Sequence, residues 1–214
     1  LRCVAVLLVL CAMPARARAQ DEAGPAGAQI LKDDAAPGEP QLLGPIVTEA
    51  RPDGFSINVG HAAGLALPAA LEVLPSAGGA TLQVLQSRAA LWHQFEVRGL
   101  GAGRRYRYRL LLGGRPVANG ETSTAPLPNA TAPMTVVVFG DERGLERGVA
   151  AQAATVANAV LSEDPDLVLG TGDLLAVGGD VAAWRTVAEA HRALFAQVPY
   201  LPALGNHELI NDPE

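Results

Sequence analysis

The chain has 214 residues, 49% of them hydrophobic, with 16 basic residues against 22 acidic and a formal net charge of −6. So apolar a composition excludes global disorder. The acidic balance excludes a nucleic-acid backbone as the expected partner and suits a metal or a cationic ligand better.

Residues 1–19 have the layout of a secretory leader. Arg2 gives a basic start, 4–13 is an apolar run, and Ala17-Arg18-Ala19 supplies a small-residue cleavage site before Gln20. The run is short of the about twenty residues that span a bilayer, so no membrane span is expected. The other reading of this segment is a short buried strand or helix. Both cysteines, Cys3 and Cys11, fall inside it, so a mature chain would carry no disulfide. The expected location is secreted or periplasmic. Residues 20–40 are rich in Ala, Gly, Pro and acidic residues and read as a flexible leader segment.

Over 41–126 the hydrophobic pattern has period two. Phe55, Ile57 and Val59 alternate with polar or small residues. Leu71 and Val73 follow the same pattern, as do Leu91, His93, Phe95 and Val97, then Tyr106, Tyr108 and Leu110. Turns at Pro52-Asp53-Gly54, Ser76-Ala77-Gly78-Gly79 and Gly113-Gly114 separate the runs. Short alternating strands at this spacing predict an antiparallel sandwich. His93 shares its face with apolar residues and reads as a core histidine, while Arg105, Arg107 and Arg109 read as a solvated face. Residues 127–133 form a Pro-containing linker.

From 134 to 214 the pattern changes. Thr135 to Phe139 is a continuous β-branched and apolar run, as in a strand buried on both faces. Helical stretches are expected over 145–161 and 180–198, the second opened by Asp180 as N-cap. Short strands are expected at 167–169 and 200–204. The order β-α-β-α-β predicts a parallel sheet with right-handed crossovers. From Pro133 onward only Arg143, Arg147, Arg185 and Arg192 are basic, against twelve acidic residues.

Each of these three strands runs into Gly and then a metal-ligand type. They give Gly140-Asp141-Glu142-Arg143, then Gly172-Asp173, then Gly205-Asn206-His207-Glu208, at about thirty-residue intervals. In a parallel α/β sheet such strand ends converge on one rim, where sites form. Carboxylates and a carboxamide hold hard cations, and a histidine there can protonate a leaving oxygen. Glu142 reads as a solvent-facing loop residue, and Glu208 as a partner that orients a ligand or His207. His191, in an apolar stripe with Trp184, Val187, Leu194 and Phe195, reads as a packed histidine.

The ordered motifs resemble the calcineurin-like metallophosphoesterases, including the purple acid phosphatases. The turn Leu100-Gly101-Ala102-Gly103-Arg104-Arg105-Tyr106 resembles a fibronectin type III corner, whose Tyr hydroxyl ties the turn to the backbone. The run from His93 to Leu100 also resembles the N-terminal domain of purple acid phosphatases. The resemblance implies an all-β sandwich (fibronectin III-like) followed by the first half of an α/β metallophosphoesterase domain. It implies hydrolysis of phosphate esters, on a phosphorylated small molecule or protein, through two divalent metal ions (Mn, Zn, Mg or Fe) and a bridging hydroxide. Asp141 would be a first-metal ligand, Asp173 the bridging carboxylate and Asn206 a second-metal ligand. His207 would contact phosphate and leaving group.

Two positions and one missing feature depart from the family pattern. Arg143 stands where many members have a ligating His, and would bind phosphate instead. Ala176 stands where purple acid phosphatases have an iron-binding Tyr. The family's late histidine motifs do not occur before Glu214. Three ligands for two ions are too few, so the chain by itself is expected to be inactive and to be the front part of a longer enzyme. The rival reading is a non-catalytic secreted binding protein with a degenerate or truncated phosphoesterase domain.

Overall fold

In the computed structural model of the protein, residues 5–8, 41–62, 66–142 and 149–210 are described. Strand β1 (Ala5–Leu8) lies in the stretch read as a leader. Strands β2 (Gln41–Arg51), β3 (Gly54–Ala62), β4 (Leu67–Pro75), β5 (Gln83–Ala90), β6 (Trp92–Val97), β7 (Arg105–Leu112) and β8 (Arg115–Ser123) follow. They form two antiparallel sheets, ordered β2-β3-β6 and β5-β4-β7-β8.

The period-two pattern accounts for the packing of these sheets. Side chains alternate across a strand, so every second residue of β6 and β7 enters the core. Val47, Phe55, Ile57, Val59, Leu71, Val73, Phe95, Val97, Tyr108 and Leu110 form one cluster drawn from both sheets. Each such fully buried large apolar side chain contributes about 1.5–3 kcal/mol. Leu91 is not part of it: it precedes β6 and stands exposed. At the turn before β7 the Gly101 N–H donates to the Tyr106 hydroxyl at 2.8 Å. The arginines of β7 point outward; Arg109 pairs with Glu72 on the neighbouring strand β4.

Strands β9 (Thr135–Phe139), β10 (Leu167–Gly170) and β11 (Tyr200–Pro202) make a parallel sheet, with β1 beside β9 in the order β1-β9-β10-β11. Helix α1 (Val149–Ser162) joins β9 to β10 and buries Ala153, Ala157 and Val160 along one face. Asp180 caps helix α2 (Val181–Ala190) by accepting from the Ala182 and Ala183 N–H groups. The single helix expected over 180–198 is two. Helix α2 ends at His191, whose backbone leaves helical values, and α3 (Arg192–Phe195) follows. The His191 ring is fully buried at this break.

The two parts pack against each other. Ile46 of β2 joins the second core, built on Val137, Phe139, Val168, Val187, Leu194 and Tyr200. The buried Tyr108 hydroxyl donates to the Ala196 carbonyl at 2.7 Å, and Arg105 pairs with Asp164 at 2.8 Å on the surface.

Candidate functional site

Because β9, β10 and β11 run parallel in adjacent register, their carboxyl ends lie side by side. Backbone bonds lace the loops that leave them. Thr171 N–H donates to the Phe139 carbonyl, Asp141 N–H to the Gly172 carbonyl, and Ala203 N–H to the Gly170 carbonyl, at 2.9, 2.9 and 2.8 Å. The closeness of the loops shows at Gly172 and Gly205. A Cβ on Gly172, whose φ is +89°, would run into the Gly205 backbone, and a Cβ on Gly205 would strike the Asp173 carboxylate.

Glu208 braces this arrangement. Its carboxylate accepts the N–H groups of Asp173 (2.7 Å), Leu174 (2.8 Å) and Gly205 (2.7 Å). Three charge-assisted bonds to two loops fix the turns on both sides of the β10–β11 edge. The Glu208 carboxylate thus orients the Asp173 turn, and it makes no contact with His207 of its own among these bonds.

The residues singled out in sequence sit as follows. Asp141 is exposed and Asp173 half-buried, and both adopt left-handed backbone, with φ of 59° and 53°. For a non-glycine residue that conformation costs on the order of 1 kcal/mol. Oδ1 of Asp173 accepts the His207 N–H at 3.0 Å, so the second and third motifs touch directly. Asn206 is exposed, between Gly205 and His207. His207 opens a short 3-10 turn, and its Nδ1 donates to the Ala176 carbonyl at 2.8 Å. A carbonyl can only accept, so Nδ1 carries the hydrogen and Nε2 is the ring's other, remaining nitrogen. Arg143 lies outside the described residues.

Glu142 corrects the expectation of a solvent-facing loop residue. It is 8% exposed and turns inward, toward His191. Asp141 takes a left-handed turn at the strand end, and the next side chain is thereby directed into the core. The backbone carbonyl of Ala176 is a further contributor that sequence reasoning missed, because a carbonyl's role leaves no trace in residue type.

Two carboxylates and a carboxamide on one rim fit a hard divalent cation by donor chemistry. In number they fall short. Among the described residues no three His, Cys, Asp or Glu side chains are grouped so as to hold an ion. Among those residues no helix is long and apolar enough to cross a membrane either.

No protein-family model matches the chain. No curated protein matches it. Among solved structures it is similar to PhoD, with a TM-score of 0.63 and 20% identity over 79% of this chain and 39% of that one. It is similar also to purple acid phosphatase PPD1 from yellow lupin (Lupinus luteus) seeds, with a TM-score of 0.63 and 19% identity over 79% of this chain and 36% of that one. The chain therefore has a phosphoesterase-like fold, and it spans less than two fifths of the length of these structures.

Proposed function

We propose that this chain carries part of the catalytic domain of a metal-dependent phosphate-ester hydrolase. The observation that supports it most is the lacing of three strand-end motifs into one rim, with Asp173 bonded to the third motif and Glu208 bracing the second and third. Residues 134–214 would be the front part of a metallophosphoesterase domain. Residues 41–126 would be a fibronectin III-like wall beside it, and 1–19 an export leader. The likeness to a purple acid phosphatase structure supports this reading at the level of fold.

Asp141 and Asp173 would hold divalent cations, with Asn206 as a neutral oxygen donor. Bound there, such ions polarise phosphoryl oxygens and acidify a water molecule. The chain's own groups would do the rest. With Nδ1 donating to the Ala176 carbonyl, His207 would turn Nε2 toward the substrate, and the ring carrying a second proton, on Nε2, would pass that proton to the leaving oxygen and be left neutral. Arg143 would grip the phosphate in a bidentate fashion. The substrate class is a phosphorylated small molecule or protein.

The shortage of grouped ligands among the described residues favours a second reading, a binding protein with a degenerate phosphoesterase domain. Hydrolysis of an aryl phosphate with added Mn²⁺ or Zn²⁺, by the longest natural form of the protein, separates the two. The expected result is turnover that falls at least about a hundredfold in Asp173→Asn. Unchanged turnover in that variant would remove the hydrolase reading. Metal binding with no turnover at all would favour the binding protein.

A further inference from the structure

Glu142 and His191 have no part in the rim described above. Glu142 follows Asp141 directly, yet the two carboxylates point opposite ways: Asp141 is exposed and the Glu142 side chain is buried. One Glu142 oxygen stands 2.9 Å from His191 Nε2, approached off the line of a hydrogen bond. His191 is held on its other side by Nδ1 donating to the Val187 carbonyl at 2.9 Å. Its ring stacks on Phe139, at 5.7 Å, and on Phe195, at 5.1 Å.

Stability alone does not call for this pair. Replacing a buried ion pair with well-packed apolar groups is often neutral or stabilising. What the pair does have is location. The backbone at Asp141 is bracketed by two anchors, its own N–H on the Gly172 carbonyl and the next side chain on His191. Between them the chain is kept in a left-handed turn that Asp would not hold freely.

We propose that the Glu142–His191 pair is a positioning device for Asp141, gripping the turn from inside the core so that the Asp141 carboxylate stays on the rim. The value of that position for metal binding rests on the reading of Asp141 as a ligand; the positioning itself does not. Groups behind metal ligands commonly change affinity by about 10- to 100-fold when removed.

The test uses the double variant Glu142→Leu/His191→Phe, which removes both polar groups and keeps a ring between Phe139 and Phe195. Three quantities are read: the unfolding midpoint, exchange of the Asp141 amide hydrogen in metal-free protein, and Mn²⁺ affinity by calorimetry. The expected result is a midpoint near that of the unaltered protein, with Asp141 exchange faster by about tenfold or more. Mn²⁺ binding should weaken by about 10- to 100-fold. Wild-type exchange in a double variant of restored stability would overturn the proposal. Should that variant not fold, Glu142→Gln keeps shape and polarity and is read by the same exchange measurement. If the unaltered protein binds no Mn²⁺, the metal reading fails, and the exchange rates still decide the positioning.

Discussion

Two of the candidate ligands, Asp141 and Asp173, occupy backbone that favours glycine. A non-glycine residue persists in such a conformation only where its surroundings over-determine it. Asp141→Gly releases that strain while deleting the carboxylate. The expected outcome is an unfolding midpoint no lower than that of the unaltered protein, together with loss of Mn²⁺ affinity; a clear fall in the midpoint would show that the side chain serves the fold. At this scale the meeting of the strand-end motifs was legible in sequence, because parallel strands in one sheet bring their carboxyl ends to one rim. Glu142 was not. Its neighbour's left-handed turn reverses the direction of the next side chain, and only the position of His191, 49 residues on, gives that direction a destination.

The strands came through from their period, and the reason is physical: one buried face leaves a clear alternation. The break at His191 did not, since the residues on both sides continue a helical stripe. Period two also placed His93 in the core, where it lies 1% exposed, stacked 5.9 Å from His61 and bonded through Nδ1 to Ser87 at 2.9 Å. Burial first, and then the neighbouring His61, hold His93 below the ordinary histidine value. The folded state therefore prefers it neutral, while the unfolded chain takes up a proton near pH 6.5. Stability is full above that pH and is lost as the pH falls through it toward the lowered folded value. Urea midpoints between pH 7.5 and pH 5 should decline, and His93→Gln should flatten the slope. An unchanged slope in that variant would assign the decline to other groups.

Across the whole molecule the two parts meet through a small set of specific contacts. The Tyr108 hydroxyl is the buried one, and burial keeps it protonated well above its usual range, so it serves as a donor at any working pH. Tyr108→Phe leaves the Ala196 carbonyl without that donor, and should cost about 1–2 kcal/mol in urea unfolding. No loss would mean that this bond adds nothing to the other contacts that hold the sandwich and the α/β part together. The switch of period near Pro133 divides the sequence into two patterns. How the two seat against each other was not legible there, because a donor such as Tyr108 looks in sequence like any other core aromatic. The Glu208 brace has a consequence in time. It joins residues 34 and 35 positions apart, so during synthesis the Asp173 turn lacks its clamp until the chain has grown past β11. A nascent chain therefore carries the Asp173 turn without its shape until Glu208 has been made.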